Sequence, residues 1–264
     1  MSTVIPTISV ARTAHLTRWN AALLARNRAA LFYAVVMPLL PLGLMALGER
    51  GNPTGGANAV TTAFLVAGLF PVYYNVLSQF VGRRDELVLK RMRTGQTKDL
   101  ELLVSIALPG AFCALLMCAL ALPIAAAFGQ SLPVNPVIYA LLAVLAVTMF
   151  TAFAYWTAAW TRSAEAAQLT SMPIIFLVSL GPLAITIPSL SEGLQNALSF
   201  TPGAAMADLL RSGWFGFDGA GATDPSLTFA DTWSAAGGPL LVIVAWTAIA
   251  ISLARRSMVW EPRS

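Results

Sequence analysis

The sequence predicts an all-α polytopic membrane protein with six transmembrane helices. We also expect an N-terminal interfacial helix and short re-entrant outer helices between spans five and six. Three observations carry this prediction. Of 264 residues, 57% are hydrophobic and 11% are charged, whereas roughly a quarter of an ordinary soluble domain is charged. Six apolar stretches are near the length of about 20 residues that crosses a hydrocarbon core. The basic residues fall almost entirely on one side of the resulting layout.

The six apolar stretches contain no Lys, Arg, Asp or Glu except at their ends, so each is predicted to span the bilayer. They cover residues 29–48, 60–81, 102–128, 136–160, 168–190 and 238–254. Because Gly-Pro pairs interrupt helices, Gly181-Pro182 is predicted to divide the fifth span into two half-helices. Gly237-Gly238-Pro239 is predicted to begin the sixth span on the outer side.

The distribution of basic residues predicts the orientation. Fourteen of the sixteen Lys and Arg residues fall on the side of the two termini, and only Arg50 and Arg211 fall on the other. Since cytoplasmic loops carry the excess of Lys and Arg, both termini are expected in the cytoplasm. The predicted layout is a cytoplasmic N-terminal segment (1–28), a transmembrane domain (29–254) with a cytoplasmic segment (82–101) and an extracellular segment (191–237), and a cytoplasmic tail (255–264).

Two segments outside the spans have helical patterns. Residues 11–27 place Leu16, Trp19 and Leu23 on one helical face, which favours an interfacial helix over a disordered basic leader. In the outer segment, apolar residues recur at helical spacing from Leu194 to Leu210 and predict one or two short helices. The remainder of that segment is rich in Gly, Asp and Ser and is expected to be irregular.

Several kinds of chemistry are missing from the spans. No carboxylate, lysine, arginine or histidine lies at mid-membrane depth, which argues against an ion-coupled carrier and an intramembrane enzyme. Cys113 and Cys118 are expected to be packing residues without metal or redox roles. The phosphate-binding pattern G-x-x-x-x-G-K-[ST] is absent, so any ATP hydrolysis must come from another chain. No cofactor, metal or nucleic acid is expected to bind this chain.

The cytoplasmic segment 82–101 reads GRRDELVLKRMRTGQTKDLE. Positive charge alone would make it a membrane anchor. An anchor, however, needs neither the apolar stripe formed by Leu87, Val88 and Met92 nor the acidic pair Asp85-Glu86. A short amphipathic helix that docks on a partner protein needs both. The anchor and the docking helix remain alternatives on the residues alone.

This segment resembles the loop after the second span in permeases of ABC-2 type exporters, which carry a pattern of the type R-x-E-x-G-x-L-K-R-L-R-x-T-P. The corresponding residues here are Arg83, Arg84, Asp85, Leu89, Lys90, Arg91, Met92 and Arg93. Asp85 replaces the usual glutamate, Leu87 stands where glycine is frequent, and Thr94-Gly95-Gln96 replaces the Thr-Pro turn. The outer segment is also similar in Leu194-Gln195, Thr201-Pro202 and Leu209-Leu210-Arg211.

The resemblance implies a permease subunit of an ATP-binding-cassette exporter in a bacterial plasma membrane. Such a subunit pairs with itself or a sister permease, and separate cytoplasmic ATPase subunits bind ATP and Mg. The resemblance also implies contact between the ATPase and both the N-terminal helix and segment 82–101. The implied coupling residues are Arg83, Arg84, Asp85, Glu86, Lys90, Arg91 and Arg93.

Aromatic and weakly polar side chains on the first two spans are candidates for a substrate path. They are Phe32, Tyr33, Tyr73, Tyr74, Asn75 and Gln79. The tyrosines also fit an interfacial aromatic belt or helix packing. The lining suits a small amphipathic, drug-like substrate, as in multidrug efflux and antibiotic resistance. Alternatives are a polysaccharide or lipid export permease of the same family, an ATP-independent channel or carrier, and a membrane sensor.

Overall fold

The computed structural model describes residues 8–89, 97–187, 190–219, 222–258 and 260. Within these ranges the chain is predominantly helical, and the only strand-like pairing is one isolated bridge between Phe217 and Pro225. The predicted all-α fold class is confirmed. The first half contains α1 (Val10–Arg26), α2 (Arg28–Gly43), α3 (Pro53–Ala67), α4 (Asn75–Asp85) and α5 (Asp99–Ala127). The second half contains α6 (Pro136–Ala158), α7 (Ala167–Thr170), α8 (Met172–Thr186), α9 (Glu192–Ser199), α10 (Pro202–Gly213) and α11 (Asp231–Ser257).

Among the described residues, five helical stretches are long and apolar enough to cross a membrane. Their bounds are Arg28–Leu47, Pro53–Asp85, Asp99–Ala127, Pro136–Ala158 and Asp231–Ser257. They correspond to the predicted spans one, two, three, four and six. The predicted fifth span corresponds to a shorter apolar stretch, Ala167–Leu183. The hydropathy pattern therefore located the apolar helices, although several of their ends differ from the prediction.

The second span is longer than its apolar stretch and contains a π-helical segment. Helix α3, the π-helical residues Gly68–Tyr74 and α4 form one run of 33 residues, about 50 Å at 1.5 Å per residue. Pro71 lies inside the π-helical segment, where its missing N–H group disturbs the hydrogen-bond ladder. A Cβ atom on Gly110 of α5 would collide with the Pro71 carbonyl oxygen. Only glycine allows α5 to pack this closely on the π-helical segment.

The prediction for the fifth span was wrong in the position of its break. The chain turns at Ser171, between α7 and α8, and α8 continues through Gly181-Pro182 to Thr186. Gly181 instead allows α10 to approach, because a Cβ atom there would collide with Thr201 Oγ1. The pair is thus a packing site between α8 and α10 rather than a helix end.

The sixth span also begins earlier than predicted. Helix α11 starts at Asp231 and passes through Pro239 without ending. A proline can be retained in a membrane helix when its surroundings satisfy the freed backbone groups. The start of α11 is fixed beside the start of α6, where Asn135 Nδ2 donates a hydrogen bond to Thr232 Oγ1 (2.9 Å).

The outer segment has the predicted short helices, α9 and α10, and the N-terminal segment forms α1. Thr201 begins α10 by accepting a hydrogen bond from the Ala204 N–H group (3.3 Å), as N-cap residues do. Trp214, just after α10, is fully buried, and its Nε1 donates to Ser131 O (2.9 Å). The described residues between 214 and 230 contain no helix, as expected for the irregular part of this segment.

Contacts between helix termini define two ends of the bundle. At one end Ser9 N donates to Glu101 Oε1 (2.5 Å), which joins the start of α1 to the start of α5. At the other end Gly51 N donates to Phe128 O (3.1 Å), which joins the α2–α3 and α5–α6 connections. We call the first the terminal end; it also holds the last residues of α4, α6 and α11. We call the second the loop end; it also holds the first residues of α3, α6 and α11.

Candidate functional site

The last turn of α4 carries a fully buried arginine at the terminal end. Arg84 has 0% exposure, and its Nη1 and Nη2 donate to Ala158 O (2.7 Å) and Thr161 O (2.5 Å). Ala158 is the last residue of α6 and Thr161 lies just beyond it. At such a helix end the backbone N–H groups that would pair with these carbonyls within the helix are missing. The Arg84 Nε lies 3.7 Å from Asp85 Oδ1. Arg84 therefore fastens the end of the second span to the end of the fourth.

Arg83 joins α4 to α1 and, through Asn20, to α5. Its Nη2 donates to Asn20 Oδ1 (2.7 Å) and Gln79 Oε1 (3.1 Å). The Asn20 Nδ2 donates to Ser105 O (2.6 Å) on α5. Asn20 is buried. The predicted interfacial helix, α1, is therefore joined to the rest of the bundle by a buried polar contact.

A second polar contact holds the beginning of α1. Arg12 Nη2 lies 2.9 Å from Glu101 Oε1, and Arg12 Nε donates to Glu101 Oε2 (3.2 Å). The hydrogen bond with Glu101 raises the pKa of Arg12, which outweighs the opposing effect of desolvation. Glu101 also accepts from Ser9 N and from Lys98 N (3.2 Å). Sequence reasoning missed this pair because its members are 89 positions apart.

The acidic pair and the residue after it form the turn that ends α4. Asp85 is the last helical residue, and Glu86 and Leu87 follow in a turn. Leu87 has a φ of 58°, in the left-handed region that favours glycine. The predicted apolar stripe thus begins at Leu87, beyond the end of α4, at the position where the resembling pattern has glycine. The predicted coupling residues Lys90, Arg91 and Arg93, together with Met92, lie outside the described residues.

A cavity of about 460 Å³ opens between α1, α2 and the π-helical segment with α4. It brings together four candidate path residues, Tyr33, Tyr74, Asn75 and Gln79, and two candidate coupling residues, Arg83 and Glu86. The remaining lining residues come from α1, α2, the residue between them and the second span, and none was predicted as a site residue: Leu23, Leu24, Asn27, Ala29, Ala30, Phe70, Ser78 and Gly82.

The cavity has an aromatic wall. Tyr33 of α2 stacks on Phe70 of the π-helical segment, with 5.7 Å between ring centroids and 13° between planes. Phe32 packs edge-on against Tyr33 at 5.8 Å but does not line the cavity. This wall offers flat apolar surface to a ligand.

The same cavity has an amide wall on α4. Gln79 Nε2 donates to Asn75 Oδ1 (2.8 Å). Asn75 Nδ2 is buried and has no hydrogen-bonding partner among the described residues. Because an unpaired buried amide costs free energy, this N–H group, which lies beside Gly110 of α5, favours a rearrangement that supplies an acceptor.

Tyr73 is separated from this cavity, although it was a candidate for the path. Its side chain is fully buried, and its hydroxyl lies 3.1 Å from Thr157 Oγ1 on α6. Tyr73 therefore lies in the contact between the second and fourth spans, in agreement with the helix-packing alternative, and it does not line the cavity.

The described residues offer no metal-binding arrangement, since no group of three or more His, Cys, Asp and Glu side chains comes together there. Cys113 and Cys118 are unpaired thiols on α5. Tyr139 donates its hydroxyl hydrogen to Cys118 O (2.8 Å), a helix-packing contact. The site is therefore an amphipathic cavity, and next to it hydrogen bonds of Arg83 and Arg84 join the ends of several helices.

Comparison with known proteins gives the family of this chain. No curated protein matches the chain. A family model described as ABC-2 family transporter protein matches residues 20–254, which includes the six apolar stretches, the cavity and segment 82–101. The match confirms the resemblance to the ABC-2 family. The chain therefore belongs to the ABC-2 transporter family, whose members are multi-pass membrane permease subunits that work with an ABC ATPase subunit.

Proposed function

We propose that this chain is the permease half of an ATP-driven exporter for hydrophobic or amphipathic compounds, with the cavity between α1, α2 and α4 as the entry to its path. Family membership supports the coarser part, a permease subunit of an ABC exporter. One observation carries the finer part: residues from the coupling pattern and residues suited to bind a substrate line the same cavity.

Helix α4 connects the predicted coupling residues to the wall of the cavity. The cavity-lining residues from Tyr74 to Glu86 recur at intervals that keep them on one helical face. The distance from Tyr74 to Glu86 is twelve residues, about 18 Å. Because a helix moves as a stiff rod, displacement of the turn at Asp85–Leu87 moves the cavity wall with it. A flexible linker would not transmit such a displacement.

Two copies, or this chain and a sister permease, form the translocating unit in a bacterial plasma membrane, with the terminal end in the cytoplasm. Two ATPase subunits bind ATP and Mg and contact the turn at Asp85–Leu87 and helix α1. Arg83 and Arg84 act within the permease, because both are hydrogen-bonded to other helices of this chain.

The substrate class follows from the two walls of the cavity. The Tyr33–Phe70 stack favours a flat apolar body, and the amide side chains of Asn75 and Gln79 favour a polar group on it. At about 460 Å³ the cavity has the size of a site for a small molecule rather than for a polymer chain. Multidrug efflux is accordingly preferred to polysaccharide export.

The test is ATP-dependent uptake of amphipathic dyes into inverted vesicles that contain the permease and its ATPase. Tyr33→Ala and Asn75→Leu are expected to raise the KM roughly three- to tenfold, as loss of one aromatic or hydrogen-bond contact implies. Phe112→Ala is the matched control, because this α5 side chain is 67% exposed and does not line the cavity.

Two results would overturn the proposal. Uptake that continues without ATP would indicate a channel or carrier. Equal KM values for the two cavity variants and the Phe112→Ala control would separate the cavity from the substrate path. A requirement for a lipid-linked glycan would favour the polysaccharide alternative, and ligand binding without transport would favour the sensor.

A further inference from the structure

A second groove lies at the loop end of the bundle, between α3, α8 and α10. Its volume is about 360 Å³. It is separate from the cavity described above and shares no lining residue with it. Its lining consists of Asn58, Thr61, Thr62, Leu65, Val66, Leu69, Ser179, Pro182, Leu183, Ala207 and Arg211.

The α3 side of this groove changes from polar to apolar with depth. Asn58, Thr61 and Thr62 lie nearer the loop end. The next lining residues along the second span are Leu65 and Val66 of α3 and Leu69 of the π-helical segment. From Asn58 to Leu69 the helix rises about 16 Å. An amphiphile whose head lies at the loop end and whose chain points towards the middle of the bundle matches this order.

The polar end of the groove contains a buried guanidinium. Arg211 is 6% exposed and lies in the last turn of α10, one turn before Trp214, which is bonded to Ser131 at the loop end. Its Nη2 donates to Ala222 O (2.5 Å), and its guanidinium lies 4.9 Å from the centre of the Phe217 ring.

Arg211 makes no close ion pair in the described part of the chain, although the carboxylate of Asp208 attracts it electrostatically. Neither Arg211 Nε nor Asp208 Oδ1, one turn earlier on α10, has a hydrogen-bonding partner among the described residues. The two side chains form no ion pair with each other there. A cation removed from water is costly unless an anion compensates it, and a guanidinium matches phosphate and carboxylate oxygens best.

We propose that this groove binds an amphiphile with one acidic head, a phosphate or a carboxylate. The head pairs with Arg211 beside Asn58 and Thr61, and the apolar chain lies along Leu65, Val66 and Leu69. This assignment goes beyond the proposed function, because it places a second site at the opposite end of the bundle and gives it a different ligand chemistry. Binding to it requires neither the ATPase nor transport.

The experiment measures binding of two single-chain probes to the purified full chain in a neutral detergent. Oleoyl lysophosphatidic acid has an acidic head, and oleoyl lysophosphatidylcholine carries the same chain on a zwitterionic head. The native chain is expected to retain the acidic probe in preference to the zwitterionic one. Native mass spectrometry gives the occupancy of each probe, and its concentration dependence gives the Kd.

Variants separate head recognition from general charge. Arg211→Gln is expected to weaken the acidic probe about tenfold or more, the usual cost of a lost charged hydrogen bond. Asp208→Asn should strengthen its binding, because a nearby negative charge is removed. Arg50→Gln is the matched control: Arg50 is the other arginine predicted on this side, it is exposed, and it donates to Ala127 O. It should leave binding unchanged.

A further variant keeps the test valid if Arg211→Gln does not fold. Val66→Trp fills the apolar part of the groove without altering Arg211 and should also weaken the acidic probe. Equal binding of the two probes by the native chain would overturn the proposal. So would equal weakening by Arg211→Gln and Arg50→Gln, or no effect of Val66→Trp.

Two additional arms identify the natural source of the acid. An acidic phospholipid that stays bound through purification and does not move with ATP indicates a lipid of the surrounding leaflet. ATP-dependent translocation of labelled lysophosphatidic acid in vesicles containing the ATPase indicates the exported compound. Both results support the acidic-head site, and a failure of translocation alone affects only the proposed function.

Discussion

Replacement of Arg84 tests whether the second and fourth spans are fastened together at the terminal end. Arg84→Gln removes the guanidinium that donates to Ala158 O and Thr161 O. A hydrogen bond to a charged group contributes about 1.5–3 kcal/mol. The loss of two such bonds in a buried site therefore costs about 3–6 kcal/mol of unfolding free energy. Arg84→Lys keeps the charge but not the planar fork, and should cost about half as much.

The assay is thermal unfolding of the purified chain in detergent, followed by tryptophan fluorescence. For a domain of this size 1 kcal/mol corresponds to about 2–4 °C, so Arg84→Gln should lower the Tm by roughly 6–24 °C. Arg162→Gln is the matched control, since Arg162 is exposed and adjoins Thr161; its effect should be within about 0.5 kcal/mol. Equal Tm values for Arg84→Gln and Arg162→Gln would refute the reasoning.

Three smaller predictions concern the same end of the bundle and the π-helical contact. Leu87→Gly should raise the unfolding free energy by about 0.5–1 kcal/mol, because glycine adopts the positive φ of this turn without strain; Tm measurement checks it. Gly110→Ala should lower the Tm, since its Cβ would collide with the Pro71 carbonyl oxygen. A double-mutant cycle with Arg12→Ala and Glu101→Gln should give a coupling free energy of about 1–3 kcal/mol in denaturation experiments.

Controls for these three predictions come from neighbouring positions. Leu89→Gly should destabilise the chain, because Leu89 is fully buried; a gain like that of Leu87→Gly would remove the conformational explanation. Gly237→Ala should be tolerated, since a Cβ atom there meets no other atom within 4 Å. Additive effects of Arg12→Ala and Glu101→Gln would show that the two side chains do not interact.

The apolar helices were predictable because hydropathy depends only on local sequence. The positions at which these helices are interrupted were not predictable. Gly181-Pro182 and Pro239 are strong breakers in water, yet both lie inside helices here. In a bilayer an open backbone finds no water, so the helix continues where neighbouring helices pack well. Gly181 shows the consequence, since its small size serves the contact with α10.

The candidate sites, too, were predictable only in part. The residue types of the cavity, aromatic and amide side chains on two adjacent spans, were visible in the sequence. The separation of Tyr73 from Tyr74 was not, because one faces α6 and the other the cavity. Arg84 and Arg211 read as loop charges in the sequence, and both are buried. Their burial depends on carbonyl partners from other parts of the fold, which no local pattern specifies.

The central claim is that a separate ATPase drives this permease through the turn at Asp85–Leu87. The most direct measurement is purification of the C-terminally tagged chain in mild detergent, with quantification of co-purifying proteins by mass spectrometry. The account predicts an ABC ATPase at near-equal stoichiometry, which is lost when Asp85 and Glu86 are both replaced by Lys while the permease still inserts and remains folded. Intact permease oligomers without any ATPase would contradict it.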